Sequence, residues 1–122
     1  MHWFLVFVGG GLGSMARHGI GRTGLALLGP GFPWWTMAVN VAGSFLIGLF
    51  AGLFGAMETG QGARLFLVTG FLGGFTTFSA FSLDALTLWE RGDLVQSGLY
   101  VAGSVILSLA AAAMGLMITR LA

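Results

Sequence analysis

The sequence predicts an all-α membrane protein of four transmembrane helices, and three observations predict it. Charge is too scarce to make a water-facing surface. Apolar runs of spanning length recur four times between turn signals. Glycine recurs at helical spacing inside those runs.

The first observation is compositional. Charged residues make up 7% of the chain and hydrophobic ones 57%, where ordinary soluble domains carry ~25% charged residues. Mean hydropathy is +0.95. All the formal charge lies in Glu58, Asp84, Glu90, Asp93, Arg17, Arg22, Arg64, Arg91 and Arg120, for a net +1. That balance leaves no basic footprint for nucleic acid. Cysteine is absent, which excludes disulfides and thiolate metal sites.

The second observation divides the chain. A span needs roughly 20 apolar residues to cross ~30 Å of hydrocarbon, and charges and turns mark out four, at about residues 3–28, 34–57, 64–89 and 94–119 of a single 1–122 domain. The first span is not read as a cleaved leader, because no basic region precedes it and an equally apolar chain follows. Gly29-Pro30-Gly31-Phe32-Pro33 supplies the first turn. Trp34 and Trp35 suit a headgroup-level belt opening the second span. Residues 58–63 form a polar loop, and Glu90-Arg91-Gly92-Asp93 a tight one. Connections this short make neighbouring helices antiparallel.

The third observation is 22 glycines in 122 residues, against ~7% in ordinary proteins. In an apolar chain they let helices approach backbone to backbone, and Gly9 with Gly13, Gly48 with Gly52, and Gly70 with Gly74 have the required spacing. Packing within the chain explains them, and so does self-association, which one short bundle with little interior favours.

Orientation is almost unspecified. Arg64 and Arg120 fall on one side, Arg17, Arg22 and Arg91 on the other, which is almost no bias under the positive-inside rule. A chain without topological preference can insert both ways and pair antiparallel with itself.

The segment Gly70-Phe71-Leu72-Gly73-Gly74-Phe75-Thr76-Thr77-Phe78-Ser79-Ala80-Phe81-Ser82 is the most unusual. Two glycines followed by two β-branched threonines disfavour a continuous helix. A break there exposes backbone that only protein or a wet cavity can satisfy, and freed carbonyls at such breaks hold cations. The competing reading is that the glycines only pack and the threonines bond back to their own helix. Phe78 and Phe81 share a helical face; such rings are commonly core or lipid contacts, but their edges are electropositive and could line an anion path. Asn40 is a lone amide in an apolar run, either an interhelical brace or an anion donor. Tyr100, Ser104 and Ser108 repeat at intervals of four, as a hydroxyl track or as packing. Arg17 lies deep in the first span and either snorkels or caps a helix end, while Asp84 pairs with an arginine on the plainest reading. Gly9-Gly10-Gly11-Leu12-Gly13 lacks the context and full spacing of a nucleotide loop. His2 and His18 form no ligand cluster. No nucleophile, base and orienter come together, so no enzyme is read here.

At these residues the chain resembles the CrcB/Fluc family of fluoride channels over nearly its whole length. The motifs are Gly10-Gly11-Leu12-Gly13-Ser14-Met15-Ala16-Arg17, Asn40-Val41-Ala42-Gly43-Ser44-Phe45-Leu46-Ile47-Gly48, and the segment from Gly70 to Phe81. The resemblance implies a fluoride-selective channel that lets fluoride leave the cell passively, in a bacterial inner membrane, as an antiparallel, dual-topology homodimer. It also implies a structural sodium ion (Na+) at the dimer centre, on the backbone carbonyls of Gly73 and Thr76. The fluoride pathway it implies comprises Asn40, Phe78, Phe81, Ser79, Tyr100, Ser104 and Ser108, with Arg17 at a vestibule or in a structural role. The family commonly has Ser-Thr-Phe where this chain has Ser79-Ala80-Phe81, so a hydroxyl is missing and the resemblance implies a pore that differs in rate or depends more on Ser79.

Two other readings use four short helices. A proton-coupled exporter of cationic drugs needs an embedded carboxylate early in the chain, and Asp84 is the sole acid within any expected span. A non-transporting assembly subunit explains the glycines but leaves the polar stripe without a use.

Overall fold

The regular structure is all helical among the residues described, which in this computed structural model are 1–55, 57 and 59–121. Ala56, near the expected end of the second span, Glu58, at the start of the expected loop, and Ala122 lie outside them. Helix α1 (His2–Leu28) stops at Gly29, whose φ of 76° would strain any residue with a Cβ. Pro30 and Pro33 keep the chain from resuming the helix until α2 (Trp34–Gly55). Then come α3 (Gln61–Arg64), a π-helical stretch at Leu65–Leu72, a single turn α4 (Gly73–Phe75), α5 (Phe78–Glu90) and α6 (Leu94–Leu121).

The turn between α5 and α6 is a Schellman closure. Asp93 N–H donates to Leu88 O and Gly92 N–H to Trp89 O, each at 3.0 Å, with Gly92 at φ 85°. Helix α2 is described to Gly55, and the third run starts at Gln61. Gly60, at φ 89°, precedes that helix, and its carbonyl accepts from Arg64 N–H at 2.9 Å.

Among the described residues, three runs are long and apolar enough to cross a membrane: Trp34–Gly55, Gln61–Glu90 and Leu94–Leu121. The chain is therefore a multi-pass membrane protein. Helix α1, of 27 residues, carries His2, Arg17, His18 and Arg22 and is not among those three.

Gly73 and Gly74 do not interrupt the third run. Helical backbone continues through them, and the chain becomes extended at Thr76 (φ −87°, ψ 157°) and Thr77 (φ −153°, ψ 118°). Thr77 starts α5 as its N-cap, its hydroxyl oxygen accepting from Ala80 N–H at 3.1 Å. Thr76 bonds back, its Oγ1 donating to Leu72 O at 2.9 Å. The glycines serve close approach instead. A Cβ on Gly74 would run into the Gly10 carbonyl, and one on Gly13 into the Phe71 carbonyl.

Helix α2 packs on α6, and α1 on the π-helical stretch and α4. Val39, Leu72 and Phe75 form one buried cluster; Phe81, Leu88 and Tyr100 form a second beside it. Outward residues such as Phe7, Ile106 and Leu109 remain exposed, as lipid contact permits. The α2–α6 seam depends on Gly48, where a Cβ would run into the Ala112 carbonyl. Gly48→Ala should lower stability by about 1–3 kcal/mol through overpacking. Thermal unfolding in detergent checks this, and an unchanged midpoint would mean that the seam yields.

Candidate functional site

The interruption at Thr76 and Thr77 is held open by a residue from another helix. Asn40, on α2, meets Thr77 twice: Thr77 N–H donates to Asn40 Oδ1 at 2.8 Å, and Asn40 Nδ2 donates to Thr77 O at 3.0 Å. One amide thus satisfies both main-chain groups of a residue that has left the helix. Arg17, on α1, does the same for the end of α4, its Nε donating to Gly74 O at 3.1 Å. Of the two roles read for Arg17, capping a helix end is the one its geometry performs.

Two cavities flank this interruption. The smaller, about 290 Å³, is lined by Asn40, Ser44, Thr76, Thr77, Phe78, Phe81, Ser104 and Ser108, with Gly43, Ile47, Leu72 and Val105 completing its wall. The larger, about 700 Å³, lies among α1, α2 and α5 and presents Arg17, His18, Arg22, Thr36 and Asp84. Thr77 stands on the wall of both.

Five of the expected pathway residues therefore share one cavity: Asn40, Phe78, Phe81, Ser104 and Ser108. Their environments differ. Phe78 is 77% exposed and Phe81 8%, with ring centroids 5.4 Å apart. Ser104 is 5% exposed, and among the described residues its hydroxyl is the buried side-chain oxygen with no hydrogen-bond partner. A buried hydroxyl without a partner is costly, and the residue that carries it is among those around the cavity.

Two expected residues lie elsewhere. Ser79 lines neither cavity; its Oγ is 3.3 Å from Thr77 Oγ1. Tyr100 is fully buried behind Phe81, and its hydroxyl donates to Asp84 Oδ2 at 3.1 Å. The partner of Asp84 is thus a phenol rather than the expected arginine. Ala80 is on the wall of the larger cavity.

Sequence reading passed over Thr77 and Ser44. Thr77 carries the signal of an N-cap residue just before a helix, and Ser44 follows Asn40 by four on the same face of α2.

The interruption falls across the carbonyls of Gly73, Gly74, Phe75 and Thr76; Gly74 O accepts from Arg17, and the helical donors of Gly73 O and Thr76 O go elsewhere. In a continuous helix Gly73 O would accept from Thr77 N–H, which goes to Asn40 instead. Thr76 O would accept from Ala80 N–H, which goes to Thr77 Oγ1. These are hard oxygen donors of the kind that unwound membrane helices offer to sodium.

A model of the family described as "CrcB-like protein, Camphor Resistance (CrcB)" matches residues 4–116. A protein of Rhizobium etli (strain CIAT 652) is 55% identical over 118 residues, covering 96% of this chain and 94% of its own length. One of Rhodopseudomonas palustris (strain BisB5) is 52% identical over 122 residues, with 98% of each chain covered. One of Sphingopyxis alaskensis is 51% identical over 118 residues. All three relatives carry the name "Fluoride-specific ion channel FluC".

Proposed function

The chain belongs to the CrcB family, and on that premise we propose that it is a fluoride-selective ion channel through which fluoride leaves the cell passively. The single observation that supports this best is the smaller cavity, around which Ser104, with its buried and partnerless hydroxyl, stands together with Asn40, Phe78 and Phe81.

Fluoride is small and strongly hydrated, so a selective path must replace its water with several donors at once. Ser104 and Ser108 offer hydroxyls. Asn40 spends one N–H on Thr77 O and keeps a second for an anion. Phe78 and Phe81 offer positive ring edges without a full charge that would trap the ion. The larger cavity, with Arg17, Arg22 and His18 on its wall, serves as the vestibule that raises local anion concentration. Tyr100 and Ser79 act at one remove, behind Phe81 and beside Thr77.

In the membrane, α1 is the fourth span, its 27 residues reaching about 40 Å at 1.5 Å per residue. The third span is then broken within the bilayer at Thr76–Thr77. The working unit is an antiparallel, dual-topology homodimer, which the even arginine distribution supports and which would cover the exposed ring of Phe78. Gly73 and Thr76 carbonyls from both copies would hold a structural sodium at the centre. Such an ion supplies fixed positive potential there. The relatives are bacterial, which supports a bacterial inner membrane as the setting.

The test is passive efflux from liposomes containing the purified protein, read with a fluoride electrode, with chloride-loaded vesicles as control. A fast fluoride leak without a chloride leak is expected; no leak from folded protein would overturn the reading. Ser104→Ala should lower the fluoride rate roughly tenfold, the equivalent of ~1.4 kcal/mol. Its unfolding midpoint should not fall, since the hydroxyl has no partner in the chain to lose. A lowered midpoint with full flux would reassign Ser104 to packing.

A further inference from the structure

Five aromatic rings run in unbroken contact from the α1–α2 loop to the smaller cavity. Trp34 lies 4.5 Å from Phe32, centroid to centroid. Phe32 meets Tyr100 at 5.5 Å with planes at 89°, an edge-to-face contact. Tyr100 lies 5.2 Å from Phe81, and Phe81 5.4 Å from Phe78. Only the last two rings line the cavity.

The loop end of this ladder is anchored. Arg91 reaches across from the α5–α6 turn, Nη1 donating to Pro30 O at 3.2 Å and Nη2 to Gly31 O at 2.8 Å. Asp93 Oδ2 stands 3.4 Å from the same guanidinium. Phe32 precedes Pro33, which restricts its backbone to extended conformations, and its carbonyl accepts from Trp34 N–H at 2.9 Å. The ring of Phe32 is thus held from both sides of its own backbone. Tyr100, fully buried and tied to Asp84, transmits that position inward. On the side away from the cavity Phe81 rests against Tyr100, and Tyr100 rests against Phe32.

We propose that Phe32, clipped in place by Arg91, is a positioning residue that sets the orientation of the Phe81 ring from outside the cavity. The part of this that concerns permeation rests on the channel reading above; the mechanical part does not. A ring edge stabilises an anion only when it points at it, so an aromatic wall needs a fixed tilt as well as a fixed place. The ladder supplies the tilt. Its far end sits in a loop joining two helices, so a change at that loop is felt at the cavity through two ring contacts, Phe32 with Tyr100 and Tyr100 with Phe81.

The experiment uses the full chain with para-fluorophenylalanine at position 81, followed by fluorine NMR, alongside liposome efflux of the unlabelled protein. Phe32→Leu should shift or multiply the resonance of the labelled ring. It should also lower fluoride efflux roughly tenfold, since misplacing a positioned group by a fraction of an ångström costs up to ~10²-fold. Phe32→Tyr, which keeps the ring, should restore both. Arg91→Met, which removes the clip and leaves every ring, should move both readouts in the same direction by less, and it answers the question if Phe32→Leu does not fold. A single, unshifted resonance in Phe32→Leu and Arg91→Met would overturn the proposal whatever their flux. A shifted resonance with wild-type flux would overturn its permeation half. If the wild-type protein passes no fluoride, the channel reading falls while the resonance still decides whether Phe32 orients Phe81.

Discussion

Phe81→Ile is expected to reduce fluoride efflux by about 100-fold or more, equivalent to ~2.7 kcal/mol, while leaving the protein folded. The two halves of that expectation have separate physical sources. Phe81 is 8% exposed and packs with Leu88 and Tyr100. An apolar replacement of similar bulk keeps most of that burial, and such swaps usually cost less than ~1.5 kcal/mol. Isoleucine has no electropositive edge, however. Where the ring faces a strongly hydrated anion, nothing in the aliphatic side chain replaces the lost water. Efflux from liposomes, size-exclusion elution and the unfolding midpoint together check this. Wild-type efflux in the variant would remove Phe81 from the mechanism.

Asn40→Leu should fail differently, losing stability and flux together. The amide holds Thr77 N–H at 2.8 Å and Thr77 O at 3.0 Å, and the N–H has no helical partner to fall back on while Thr77 stays extended. Leaving a buried donor unmade costs roughly 1–3 kcal/mol, in a place where lipid offers no substitute. The chain then has two options: to unfold more readily, or to close the interruption into continuous helix and collapse the smaller cavity. Both lower flux, and both appear as an altered unfolding transition. An unchanged transition with lost flux would mean that Asn40 acts only as an anion donor. The contrast with Phe81→Ile, where the transition stays put, separates a residue that builds the path from one that lines it.

The membrane class, the turns and the residues to inspect were all legible in the chain itself. Hydrophobic content and scarce charge leave no other solvent to choose, and Gly29-Pro30-Gly31-Phe32-Pro33 and Arg91-Gly92-Asp93 stop helices by backbone geometry that any fold must obey. The unusual residues, Asn40, Phe78, Phe81, Ser104 and Arg17, stood out because each is expensive or specific in an apolar run.

What they touch was decided by tertiary structure. Asn40 reaches Thr77 across 37 positions and Arg17 reaches Gly74 across 57, and no local pattern encodes such pairings. The interruption fell at Thr76 and Thr77 rather than at the adjacent glycines because Asn40 and the N-cap bond stabilise extended backbone there, while Gly74 is needed against α1. The stripe of Tyr100, Ser104 and Ser108 divided for a geometric reason. Residues four apart advance about 40° around a helix at each step, so Tyr100 turns into the core beside Phe81 while the serines face the cavity. Spacing in sequence names a helix face, but only the packing of neighbouring helices decides which part of that face meets protein and which meets open space.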